Sequence, residues 1–94
     1  MATILIVDDS PTEAEVVRVM LESEGYSVLW ADTADKGIKM AEEKRPELIL
    51  MDVVMPGMSG FQATRKLMRN PETREIPVIM LTTKDQESDR AWGL

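Results

Sequence analysis

Continuous aliphatic runs alternate along this chain with stretches whose apolar residues recur every three or four positions. The runs are "TILIV" (3–7), "ELILM" (47–51) and "PVIML" (77–81). Burying successive side chains requires cover on both faces, the situation of a strand inside a parallel sheet. "YSVLWA" (26–31) is less uniform and predicts an edge strand.

The intervening stretches predict amphipathic helices with marked ends. Ser10, Pro11, Thr12 and Glu13 form S-x-x-E with proline at the first helical position, a capping-box start. That helix carries Val16, Val17, Met20 and Leu21 and stops at Gly25, expected in the left-handed conformation. A second begins near Thr33, turns Ala34, Ile38 and Ala41 inward and ends before Pro46. Ser59 and Gln62 predict another capping box, opening a helix with Phe61, Thr64, Leu67 and Met68 that ends at Asn70-Pro71. With a last helix after "PVIML", the order is β-α-β-α-β-α-β-α. The fold class is α/β, a right-handed, doubly wound parallel sheet. No internal repeat, low-complexity stretch or interdomain linker interrupts it.

Composition narrows the chemistry. At 94 residues the chain is one domain or part of one, given that domains commonly run to roughly 100–150 residues. No apolar run approaches the ~18–20 residues of a membrane span, and no signal peptide opens the chain, so no membrane partner and a cytoplasmic location are expected. There is no cysteine and no histidine, which leaves oxygen-ligated hard cations as the plausible metals. A net charge of −6 without a basic cluster argues against nucleic-acid binding.

In open α/β sheets the functional crevice lies beyond the carboxyl ends of the strands. Asp8 and Asp9 follow the first strand, Asp52 ends the third, and Thr82 and Thr83 end the fourth. Two carboxylates about 5 Å apart repel by about 3 kcal/mol at an effective dielectric of about 20, a cost that protons or a cation offset. Magnesium suits such a cluster, taking one or two carboxylates and leaving room for a phosphoryl oxygen. Each residue alone has a plainer reading. Asp9 serves equally as a helix cap, Asp52 as an Asx turn before Pro56-Gly57, and Thr82 reads better as a β-former. The methionines at 20, 40, 51, 55, 68 and 80 read as core fillers, and Trp30 and Trp92 as packing or interface residues. The combination favours a site, because three acidic strand ends meeting a hydroxyl are a rarer coincidence than any one of them.

"ILIVDDS", "LILMDVVMPGMSGF" and "IPVIMLTT" together resemble the three main signatures of the response-regulator receiver domain, the phosphoacceptor module of two-component signalling. Within that family, "GFQATRKL" and "TTKDQESDRAWG" are similar to the stand-alone twitching-motility regulators of type IV pilus chemosensory systems. The resemblance implies a flavodoxin-like, three-layer α/β/α fold with strand order 2-1-3-4. It makes Asp52 the phosphoacceptor, and Asp8, Asp9, Asp52 and the backbone carbonyl of Val54 the ligands of Mg2+. Thr82 becomes the switch hydroxyl, and Thr83 narrows access to the phosphoryl group. The implied partners are a histidine kinase as phosphodonor and a downstream motility or signalling protein. The chain would then catalyse its own aspartyl phosphorylation and dephosphorylation and not be an enzyme in the turnover sense.

The family's fifth strand opens with a lysine, and the sequence ends at Leu94 before any such position; Lys84 is expected at the solvated rim. Residues 1–94 are therefore expected to be a receiver domain truncated after its fourth helix. If the chain ends there, strand exchange between two copies covers the exposed fourth strand, and phosphorylation is weak for want of the lysine. Two other classes stand beside this reading. A haloacid-dehalogenase-like phosphatase also uses a strand-end aspartate with magnesium but needs D-x-D, whereas the pair here is adjacent. A pseudo-receiver keeps the fold as a protein-binding module without phosphorylation. A P-loop enzyme is excluded, since no G-x-x-x-x-G-K-[ST] occurs.

Overall fold

The aliphatic runs become four strands in the computed structural model of the protein, which describes residues 2–81. The elements are β1 (Thr3–Val7), α1 (Pro11–Ser23), β2 (Ser27–Ala31), α2 (Ala34–Lys44), β3 (Leu48–Asp52), α3 (Gly60–Arg69) and β4 (Val78–Leu81). All pairings are parallel and the strand order is β2-β1-β3-β4. The expected doubly wound sheet is therefore present, with "YSVLWA" at one edge. Thr82, Thr83, Lys84, Trp92 and the expected fourth helix lie outside the described residues.

The period-two alternation of side chains divides the core into layers. Leu5 and Val7 of β1 and Ile49 and Met51 of β3 are buried in one cluster with Ala34 and Ala41 of α2 and Ala63 and Leu67 of α3. Ile4 and Ile6 point the other way and are buried too. α1 packs over β1 and β2 with Ala14 as its buried residue, and it contributes nothing to the first cluster. The sheet thus lies between two helical layers.

Small residues set how closely the helices approach. A Cβ on Gly37 of α2 would lie 2.7 Å from Val7 Cγ2, and one on Gly60 would lie 2.2 Å from the carbonyl oxygen of Asp52. The first turn of α3 therefore rests directly on the end of β3. This close packing decides which side chains of α1 and α3 face the sheet. Val16 and Met20 of α1 and Phe61 and Met68 of α3 point to solvent, with Met20 61% and Phe61 59% exposed. Met20 and Met68 are accordingly not core fillers, whereas Met51 and Met55 are buried. The helices turn Ala14, or Gly60, Ala63 and Leu67, toward the sheet. Glycine and alanine let the backbone come near, and a large side chain on that stripe would hold it away.

Helix ends follow local chemistry. Thr33 caps α2 by accepting from the Lys36 N–H, and Gly25 adopts the expected positive φ of 95° after α1. Arg45 takes the left-handed conformation after α2, a role the sequence assigned to no residue, and Pro46 follows it. Beyond α3, the buried Thr73 donates its hydroxyl to the Leu67 carbonyl at 2.7 Å, and Asn70 Oδ1 accepts from the Glu72 N–H in an Asx turn.

Candidate functional site

The site is assembled by strand register. β1 and β3 are parallel neighbours in which Val7 stands opposite Met51, so one more step along both chains brings Asp8 beside Asp52. The backbone holds each residue there. Asp8 N–H donates to the Ala31 carbonyl at 3.0 Å, extending the β1–β2 ladder, and the Val53 N–H donates to the Leu81 carbonyl at 2.9 Å, extending β3–β4. Two neighbouring carboxylates are thereby carried to one sheet end under nearly complete burial, Asp8 at 3% and Asp52 at 1% exposure.

The acidic cluster has a third member that the sequence reading placed elsewhere. Carboxylate oxygens of Asp8, Glu13 and Asp52 all lie within 4.8 Å of one another. Glu13 stands at the third position of α1, where S-x-x-E predicts a side chain turned back onto the Ser10 N–H. Only half of that box forms. Ser10 Oγ accepts from the Glu13 N–H at 3.2 Å, but the Ser10 N–H donates to Asp8 Oδ1 at 2.9 Å. Asp8 takes the return position, and Glu13 turns its carboxylate to the sheet edge. The clue available in the sequence is Asp8 itself, an Asx acceptor two residues before the cap serine, in competition with Glu13 for the same N–H.

Asp9 is half-buried between Asp8 and Ser10 and is not a member of the close triad. Val54, two residues past Asp52, is exposed in the segment between β3 and α3. The segment is tied back by the Gly60 N–H, which donates to the Val53 carbonyl at 2.9 Å. Gly57 lies in it at φ +78°, a conformation that favours glycine. Trp30 stands behind the site. Its Nε1–H donates to the Asp8 carbonyl oxygen at 2.8 Å, tying edge strand β2 to the acidic turn.

The donor set fits a hard divalent cation. Every ligand atom in the triad is a carboxylate oxygen, and the chain offers neither thiolate nor imidazole. Three anionic groups this close, two of them buried, repel one another unless positive charge lies among them. No helix among the described residues is long and apolar enough to cross a membrane.

Comparison with known proteins gives the context of this edge. The family model of the response regulator receiver domain matches residues 4–94. The chain is 55% identical to protein PilH of Pseudomonas aeruginosa over 93 residues, which cover 99% of this chain and 77% of PilH. It is 41% identical to the phosphate regulon transcriptional regulatory protein PhoB of the same organism, across 98% of this chain but 40% of PhoB. Among solved structures it is similar to the receiver domain of a sensor histidine kinase from Pseudomonas aeruginosa, which holds a magnesium ion coordinated in its active site cleft. That likeness has a TM-score of 0.83 at 34% identity, over 96% of this chain and 74% of the other. The chemotaxis protein CheY4 of Vibrio cholerae aligns with a TM-score of 0.81 at 28% identity, over 99% of this chain and 81% of that one. A match that opens at Ile4, the first buried residue of β1, and runs to residue 94 on a fold shared with solved receivers establishes the family: the chain belongs to the response-regulator receiver domains.

Proposed function

We propose that the protein is a phosphoacceptor response regulator that takes a phosphoryl group onto Asp52 from a histidine kinase in the cytoplasm. The observation that carries this reading is the burial of Asp52 at the end of a central strand, within 4.8 Å of two further carboxylates. A carboxylate oxygen of Asp52 attacks the phosphorus of a phosphohistidine. The O–P bond forms as the N–P bond breaks, and the imidazole leaves with the electron pair and takes up a proton. The chain has no histidine and so is suited to accept but not to present such a group.

Asp8, Asp9, Asp52 and the Val54 carbonyl are the residues proposed to hold Mg2+. When bound, the cation supplies charge neutralisation between the attacking carboxylate and the phosphoryl oxygens. The fixed Asp8 carboxylate, oriented by the Ser10 N–H, keeps that position organised before the donor arrives. Thr82 is proposed as the hydroxyl that bonds the phosphoryl group, with Thr83 limiting access to it. Phosphorylation then shifts a two-state region beyond β4 and changes binding to a downstream protein. The identity with PilH supports a place in type IV pilus twitching motility.

The test is incubation with a small-molecule phosphodonor and Mg2+, followed by intact-mass analysis. Wild type is expected to gain an adduct of about 80 Da, the mass of a phosphoryl group, and Asp52→Asn to gain none. An adduct that persists in Asp52→Asn overturns the assignment.

A further inference from the structure

Trp30 lies on edge strand β2, outside the acidic cluster, yet its side chain reaches the turn that carries Asp8 and Asp9. We propose that Trp30 is a positioning residue of the site, whose indole N–H holds the peptide unit joining Asp8 to Asp9 and so sets the acidic turn for Mg2+ before the cation arrives; this rests on the phosphoacceptor reading above, and on its cation part in particular.

Register brings the indole there. Trp30 stands opposite Ile6, so the two share the face of the sheet that α1 covers. The β1–β2 pairing ends at Val7 and Ala31, and one step beyond it the Asp8 N–H still donates to the Ala31 carbonyl. In a parallel ladder the next donor toward the Asp8 carbonyl belongs to Thr33, but β2 ends at Ala31 and Thr33 already caps α2. The Trp30 indole supplies an N–H to that oxygen at 2.8 Å. Packing alone does not wedge the ring in this pose: Trp30 is 40% exposed, and with Pro11, Ala14, Glu15 and Arg18 it lines a cavity of about 140 Å3 on its α1 side. Space is open for other rotamers, and the one adopted makes the bond.

The consequence follows from peptide planarity. The Asp8 carbonyl oxygen and the Asp9 N–H belong to one planar unit, so holding the oxygen sets how the chain enters Asp9. Asp8 is then held at three points: its N–H by the Ala31 carbonyl at 3.0 Å, its carbonyl by Trp30 at 2.8 Å and its Oδ1 by the Ser10 N–H at 2.9 Å. Groups already held lose little freedom when a cation binds, which is how outer hydrogen-bond partners tune metal affinity.

The full chain is titrated calorimetrically with MgCl2, without phosphodonor, as wild type, Trp30→Phe and Val28→Ala. Trp30→Phe keeps an aromatic ring and removes the N–H, whereas Val28→Ala loosens the same strand at the pair with Ile4, away from the acidic edge. Expected is a loss of roughly tenfold in Mg2+ affinity for Trp30→Phe and wild-type affinity for Val28→Ala. With a small-molecule phosphodonor, the Mg2+ concentration giving half the maximal rate is expected to rise in Trp30→Phe by the same factor, while the rate at saturating Mg2+ stays within about twofold of wild type. In EDTA, the indole N–H of Trp30 is expected to exchange with solvent more slowly than a free indole, and the amide resonance of Asp9 to shift in Trp30→Phe but not in Val28→Ala. Circular dichroism confirms that each variant is folded. Equal Mg2+ affinity in wild type and Trp30→Phe overturns the role of Trp30 while leaving the phosphoacceptor reading intact. Equal losses in the two variants also overturn it, because a loosened strand then explains both, and so does a fall in maximal rate with an unchanged Mg2+ requirement. A wild type that binds no Mg2+ overturns both the role and the cation part of that reading.

Discussion

Helices α1 and α3 open with nearly the same local sequence, Ser10-x-x-Glu13 and Ser59-x-x-Gln62, and use it differently. In α3 the box closes on itself: Ser59 Oγ accepts from the Gln62 N–H and the Gln62 side chain accepts from the Ser59 N–H. In α1 the serine makes the same bond, yet its own N–H goes to Asp8. The difference lies in what precedes each serine. Ser10 lies three residues beyond Val7, the end of β1, and two beyond Asp8, close enough for Asp8 to compete, whereas a longer segment separates Ser59 from Asp52. A capping motif thus states which groups need partners, and the flanking strand decides who supplies them.

The comparison is open to breakage in several places. The largest effect is expected at Gly60, where α3 meets the strand end. Gly60→Ala would set a Cβ 2.2 Å from the Asp52 carbonyl oxygen and is expected to cost about 3 kcal/mol or to displace the helix. Urea denaturation measures the loss, and no equivalent glycine opens α1. Next comes the serine itself. Ser59→Ala and Ser10→Ala each remove a cap hydroxyl and are expected to cost about 1 kcal/mol, read as a lower urea midpoint at unchanged slope. The third position should then separate the two helices. Gln62→Ala is expected to cost about 0.5 kcal/mol by removing the return bond of a full box. Glu13→Ala removes no return bond to the Ser10 N–H, which Asp8 accepts, and is expected to cost less than Gln62→Ala. A loss equal to that of Gln62→Ala would show that Glu13 caps after all. The smallest and sharpest effect is a coupling. In an Asp8→Ala background the Ser10 N–H loses its acceptor, Glu13 is expected to swing back, and Glu13→Ala should then cost the same ~0.5 kcal/mol as at α3.

The sequence exposed the strands and the helix ends because each is dictated locally. An unbroken aliphatic run has few alternatives to a doubly covered strand, and Ser59 with Gln62 acts through bonds spanning three residues. The pairing of Asp8 with Asp52 was also legible, since parallel strands that end in aspartate must present both at one edge. Two things escaped. Met20 and Met68 were read as core fillers, whereas close approach to the sheet selects Ala14, Gly60 and Ala63 and leaves both methionines, with Phe61, outward. Glu13 was counted as a cap because its competitor acts from the preceding strand, and the outcome rests on tertiary geometry that spacing alone does not contain.

Trp30 gives the acidic edge a spectroscopic handle. The residue is 40% exposed and its indole N–H donates to the carbonyl of Asp8, so its emission senses both solvent and the polarity of that peptide group. Drawing the Asp8 carboxylate toward a cation polarises the same residue. In a Trp92→Phe background, which leaves Trp30 as the single tryptophan, intrinsic fluorescence becomes a label-free gauge of site occupancy, read from an edge strand that contributes no carboxylate to the triad.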